Sequence, residues 1–176
     1  MKKQEPEAEA ITPTGKGASV TPGSQLLDWA DAVRQLTTGS FRWLTTLRPD
    51  GSPHVMPVFG AWSEPVVFVA SKASARKSRN LDADGRCVLT TAVDNVHLIV
   101  EGTANRVLDE ATLGRASDAF EQVYGWPTTI VGDELDSEYG APTSGGPPYR
   151  VYQIMPSKVI ALPAAADFIP TRWRFT

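Results

Sequence analysis

The run from Phe41 to Trp62, FRWLTTLRPDGSPHVMPVFGAW, constrains the fold more than any other stretch of this chain. Phe41, Trp43, Thr45 and Leu47 alternate with Arg42, Leu44 and Thr46, a period of two that fits a pleated strand and no helix. Asp50-Gly51 then supplies a turn before another extended run, so two antiparallel strands are expected. PVVFVAS, after a turn near Ser63 to Pro65, reads as a third strand. RCVLTTA and VHLIVEGTANRV, separated by a turn at Asp94-Asn95, add two more. The expectation is a meander of five strands before residue 108.

Helical patterns interrupt and flank these strands. In GSQLLDWADAVRQLTTGS, Ser24 is placed to cap a helix whose broad face carries Leu26, Leu27, Trp29, Ala30, Val33 and Leu36, with Gly39 as its stop. A short helical stretch is expected around Ala75 to Leu81, and a longer helix in DEATLGRASDAFEQVYG, where Leu113, Ala116, Phe120 and Tyr124 face a core. Residues 126–148 are turn-rich and should wrap the surface or line a pocket. YRVYQIMPSKVIALP supplies one or two last strands before the terminal DFIPTRWRFT. Short antiparallel strands with packed helices point to a closed or partly closed barrel, because closure removes exposed strand edges.

The chain has 176 residues, enough for one domain with a real core. Residues 1–22, rich in Pro, Glu, Gly and Thr, read as a flexible N-terminal tail, leaving 23–176 as the folded domain. With 17 Lys plus Arg against 20 Asp plus Glu, the net charge of -3 disfavours a broad nucleic-acid surface but leaves room for a small phosphate site. Cys87 stands alone in a hydrophobic run, which argues against a disulfide scaffold and for a buried, inert thiol. There is no signal-peptide pattern and no run approaching about 18 apolar residues, so no membrane span and a cytoplasmic location are expected.

Nucleotide-loop, zinc-protease, CxxC and nucleophile-elbow motifs are missing. His54 and His97 lie on expected strands without metal-ligand spacing, so no metal is expected. The distinctive local chemistry is SKASARKSRNL, which gathers Lys72, Arg76, Lys77 and Arg79 in a slightly acidic protein. Cationic forks, hydroxyls and a helix start suit a phosphomonoester or phosphodiester, although a solvated surface run has the same composition.

FRWLTTLRPDGSPHVMPVFGAW, SKASARKSRNL, CVLT, LIVEGTANRV, YRVYQIMPSKVIAL and the terminal PTRWRF, in this order over about residues 24–175, resemble the pyridoxamine 5'-phosphate oxidase-like split-barrel family. They look closest to its actinobacterial branch of deazaflavin F420-dependent oxidoreductases. The resemblance implies a mainly β fold: a six-stranded antiparallel Greek-key split barrel with peripheral helices. It also implies a homodimer with a flavin or deazaflavin at the subunit interface. His54, Val55, Met56, Pro57 and Val58 match the stretch that borders the cofactor ring. Ser71, Lys72, Ser74, Arg76 and Lys77 match the stretch that holds its phosphate, with Asn80 and Leu81 completing the element. Trp173, in TRWRF, either stacks on the cofactor ring or closes the barrel or the dimer interface.

The function so implied is hydride transfer to a small conjugated or hydrophobic acceptor. The cofactor carries the electrons and the protein supplies orientation, so no catalytic side chain is assigned. His54 is one pocket group able to deliver a proton. F420 is the expected cofactor and FMN the alternative. A long oligoglutamate tail on F420 would draw on Arg42, Arg79, Arg172 and Arg174. A flavin- or tetrapyrrole-binding protein without turnover is a further reading. Trp126 and Tyr139 are placed either at a substrate mouth or as loop anchors, and Glu101 is read as a structural charge.

Overall fold

The structure, a computed structural model, describes residues 6–12, 23–38, 41–140, 145–165 and 167–175. Its elements run β1 (Ala8–Ala10), α1 (Trp29–Thr37), β2 (Arg42–Leu47), β3 (Pro53–Val58), β4 (Gly60–Ser63) and β5 (Val66–Ser71). Then follow α2 (Arg76–Ala83), β6 (Arg86–Val93), β7 (Val96–Arg106), α3 (Glu110–Tyr124), β8 (Thr129–Val131), β9 (Glu134–Asp136), β10 (Arg150–Pro163) and β11 (Thr171–Arg174). Among the described residues no helix is long and apolar enough to cross a membrane.

Nine strands form one antiparallel sheet, ordered β1-β11-β10-β7-β6-β2-β3, with β5 joining β10 to β4. This is an open, split-barrel-like arrangement with peripheral helices and not the clean six-stranded barrel expected. The long β10 explains the difference. Its Arg150–Ile154 half pairs with β5, its Lys158–Ala161 half pairs with β11, and β7 runs along the opposite edge of both. The register slips between Pro156 and Lys158, a bulge that lets one strand serve two directions of the sheet.

The meander is also corrected. After β5 the chain crosses through α2, and β6 pairs with β2 and β7 instead of β5. The extended run after Gly51 divides at Phe59 into β3 and β4, which pair with different strands. The Asp94-Asn95 turn behaves as read: both residues have positive φ, the conformation of a tight hairpin turn.

α1 begins at Trp29 rather than at Ser24. The Ser24 hydroxyl instead donates to Asp167 (2.7 Å), and Leu26 bridges Ile169, so this segment is held by tertiary contacts. Gly39 lies outside the described residues. Part of the expected tail is ordered, because Ala8–Ala10 pairs with β11 and Glu9 meets Arg172 at 2.6 Å. Within residues 126–148 the chain forms the small hairpin β8–β9.

Two apolar clusters flank β5. Val67 and Val69 join the cluster containing Trp29, Leu44, Leu89, Val100 and Trp173, while Val66, Phe68 and Ala70 pack with Leu113, Ala116 and Phe120 of α3. Burial on both faces is why PVVFVAS reads as an unbroken apolar run instead of an alternating one.

Candidate functional site

The site is built where β5 hands the chain to α2. Ser71 ends the strand fully buried, and the Ser78 hydroxyl lies 2.9 Å from its hydroxyl while donating to the Lys72 carbonyl at 2.7 Å. These bonds curl residues 71–78 into a compact turn at the helix start. Ala75, the N-cap of α2, offers no side-chain acceptor, so the first-turn amides keep their partial positive charge for something else. Deeper in the helix, Leu81 is buried, Asn80 Nδ2 donates to Thr46 Oγ1 (2.9 Å), and Tyr152 donates to Asp82 (2.9 Å). α2 is thereby fastened to β2 and β10 by the side opposite its open start.

That start borders a cleft of about 250 Å³ lined by His54, Met56, Lys72, Ser74, Ala75, Arg76 and Lys77. No carboxylate is among these lining residues. Lys77 is only 3% exposed, and burial pushes its ammonium below the usual lysine range. His54 is also held below its ordinary value, first by partial burial and then by the charges of Arg48, Lys77 and Arg76. Its Nδ1 is buried with no hydrogen-bond partner in the structure. The arrangement is thus a small cationic cavity beside an uncapped helix N-terminus, chemistry suited to an anion with several oxygens.

The cleft gathers six of the residues singled out by the resemblance: His54, Met56, Lys72, Ser74, Arg76 and Lys77. Strand alternation separates Val55 and Pro57, and depth in the core separates Val58. Val55 turns to the opposite face of β3 and is 49% exposed, Pro57 is half-buried, and Val58 is buried in the core. Ser71 and Asn80 lie beneath the cleft and position its wall, through Ser78 and Thr46 respectively.

Trp173 does not line the cleft and matches the closing alternative of its two readings: its indole is 0% exposed and packs against Trp29 at 5.3 Å between ring centroids. Arg42 is likewise removed from any surface groove, being 1% exposed with its guanidinium donating to the Gly60, Leu36 and Thr38 carbonyls. Arg79 donates to the Ser74 carbonyl (2.8 Å), and Arg172 and Arg174 converge on Glu9. Trp126 is an anchor: buried, it donates from Nε1 to the Tyr139 carbonyl (3.0 Å), while the Tyr139 side chain is exposed. Glu101 pairs with Lys158 at 2.8 Å, as a structural charge should.

Thr46, Arg48 and Ser78 are supporting residues that the sequence reading missed. The last of them sits within the cationic run and was legible as another hydroxyl, whereas Thr46 meets His54 and Asn80 through strand register and helix packing. A larger hollow of about 380 Å³ lies on the outer sheet face, lined by Thr45, Val88 and Ser157 among others. Its Arg86 and Glu101 charges are already engaged by Asp84 and Lys158.

The comparisons agree with this architecture. The sequence profile described as pyridoxamine 5'-phosphate oxidase matches residues 30–162. A conserved hypothetical protein of Mycobacterium tuberculosis aligns with a TM-score of 0.61 at 17% identity, covering 84% of this chain and 91% of the other. An F420 reductase aligns with a TM-score of 0.50 at 19% identity over 70% of this chain and 91% of its own. A heme binding protein from Mycobacterium smegmatis gives 0.56 at 15% identity, over 80% of this chain and 56% of that one. At such identities the likeness is one of fold. No curated protein matches the sequence.

Proposed function

The chain belongs to the pyridoxamine 5'-phosphate oxidase family, and from that premise we propose that it is an oxidoreductase that holds flavin mononucleotide, its phosphate in the cleft at the start of α2. The observation that carries this reading is the convergence of Lys72, Ser74, Arg76 and Lys77 on an uncapped helix N-terminus without a lining carboxylate. Arg76 offers a planar fork of donors and Lys77 a partly desolvated point charge, a combination suited to phosphate oxygens.

When bound, the flavin would supply hydride transfer to a small conjugated or hydrophobic acceptor. The chain's contribution is positional. β3 pairs only with β2 among the described strands, so it is the edge strand of the sheet and the wall we assign to the cofactor. Buried Lys77 fixes the phosphate end, and orienting a ligand from that end sets the distance of its far end from any acceptor. The exposed Trp43 and Val55, on one outer face of the sheet, support a homodimer in which a second copy covers that wall.

FMN is preferred to F420 because the arginines expected to serve a polyanionic tail have other partners or are buried. Arg42 lies in the core, Arg79 is tied to Ser74, and Arg172 and Arg174 share Glu9. A compact phosphate site needs none of them. The deciding experiment is calorimetric titration of the purified chain with FMN and with F420, repeated for Arg76→Ala. Tighter FMN binding that weakens in the variant supports the proposal, and tighter F420 binding replaces FMN by the deazaflavin. Binding without reduction of any acceptor in a broad screen makes the chain a carrier, and no binding of either refutes the site.

A further inference from the structure

His54 stands in an unusual electrostatic position. Arg48 approaches it from the β2–β3 turn and Arg76 and Lys77 from α2, while Lys72, from the β5–α2 connection, lines the same cleft. The carboxylate of that turn, Asp50, is engaged by the Ser52 amide (2.9 Å) and hydroxyl (2.7 Å). The His54 Nδ1 is buried and partnerless, so an imidazolium there would bring one more positive charge and an unanswered donor into a cationic cleft. An anion in the cleft, which His54 itself lines, reverses the charge penalty. It offsets the neighbouring cations and provides acceptors within their reach.

We propose that the cleft takes up a dianionic terminal phosphate together with one proton, and that the proton is held on the His54 imidazole. The proposal rests on the phosphate-binding reading above and deepens it by naming the proton that accompanies the phosphate and the residue that holds it. A phosphomonoester near neutral pH carries nearly two charges, whereas a phosphodiester carries one. The stronger attraction to an imidazolium belongs to the dianion, because the Coulomb energy scales with charge. His54 therefore makes the cleft selective for a terminal phosphate over an internal diester linkage.

Linkage fixes the sign of the pH dependence. Anion binding raises the proton affinity of His54, so binding takes up a proton, and affinity rises as pH falls through the window between the free and bound values. Outside that window it is flat. Sulfate is the appropriate probe, since it stays a dianion throughout, whereas a phosphate monoester changes charge in the same range.

The test is calorimetric titration of the full chain with sodium sulfate from about pH 5 to 8, at constant ionic strength, for wild type and His54→Gln. Dimethyl phosphate serves as the monoanionic diester probe, and FMN is titrated in parallel. Proton NMR of the two histidines, with and without sulfate, reads the protonation of His54 directly in the wild type. The expected result is sulfate affinity that rises by up to about tenfold per pH unit on acidification. Dimethyl phosphate should bind more weakly, the His54 titration should move upward with sulfate, and the profile of His54→Gln should be flatter.

An equal slope in wild type and variant, or an unmoved His54 titration, overturns the proposal. Equal affinity for sulfate and dimethyl phosphate overturns the selectivity. Tight FMN binding with a flat sulfate profile refutes proton uptake alone. No binding of FMN or sulfate at any pH refutes the phosphate site and this inference with it.

Discussion

Lys77 is a cation placed where a fold ordinarily puts an apolar side chain, and its cost to the unliganded protein is the counterpart of its use. Replacing it with methionine keeps most of the volume and removes the charge offered to a phosphate. Lys77→Met should weaken FMN binding by roughly tenfold to a hundredfold, the equivalent of about 1.5–3 kcal/mol for a charged hydrogen bond. Titration of the folded variant reads the effect, and unchanged affinity would contradict this assignment. His54 has a stability consequence as well. Its folded value lies below the ordinary one, so the unfolded chain takes the proton first and the unliganded protein loses stability as pH falls below about 6.5. Urea midpoints across that range should fall less in His54→Gln than in wild type. Cys87 lies at the opposite extreme of reactivity: burial pushes its thiol up to about 12, so it should resist alkylation at neutral pH until the chain is unfolded. Modification of the native protein within minutes would contradict the described packing.

At the scale of elements, the sheet depends on places where backbones approach closely. Gly102 on β7 faces the Met155 carbonyl oxygen of β10, just before the bulge, and a Cβ there would collide with main chain rather than with a yielding side chain. Gly102→Ala should therefore destabilise the fold by about 1–3 kcal/mol, read as a lower urea midpoint, and an unchanged midpoint would mean that the two strands separate easily. Trp173 closes the same end of the sheet. On β11 it pairs with Ala8 and Val159, and Trp29 of α1 packs on it, so it joins an edge strand, the long β10 and a helix. Truncating it to alanine should cost about 3–5 kcal/mol, while FMN affinity measured on the folded fraction stays unchanged. Lost affinity in a fully folded variant would return the indole to the binding site. α2 shows the complementary design: its far side is anchored through Leu81, Asn80 and Asp82, and its start is left uncapped toward the cleft.

Across the whole molecule, Trp43 at 52% exposed and Val55 at 49% place large apolar groups on the outer face of β2 and β3, opposite the face that bears Leu44. A homodimer through this face predicts that Trp43→Glu shifts the protein to monomer in sedimentation and lowers FMN affinity together with it, and a monomeric wild type would refute the arrangement. Much of this molecule was legible along the chain. The alternation from Phe41 to Leu47, the positive-φ turn at Asp94-Asn95, the apolar face of α3 and the cationic run at Lys72 to Lys77 are each properties of a few adjacent residues, governed by local sterics and periodicity. Period two could not say which face of β2 is covered: Arg42 goes inward because three distant or bent-back carbonyls receive its guanidinium, and Phe41 and Trp43 stay out. Nor could it foresee that β6 would bypass β5 for β2 or that β10 would serve both β5 and β11, and it left Trp173 two roles between which packing on Trp29 decides. Those outcomes arise from contacts between segments up to the length of the chain apart, where burial and backbone pairing compete across many registers. Local pattern names the strands and their cations; the choice of partners, made by the core that best satisfies all of them together, turns those cations into a cleft.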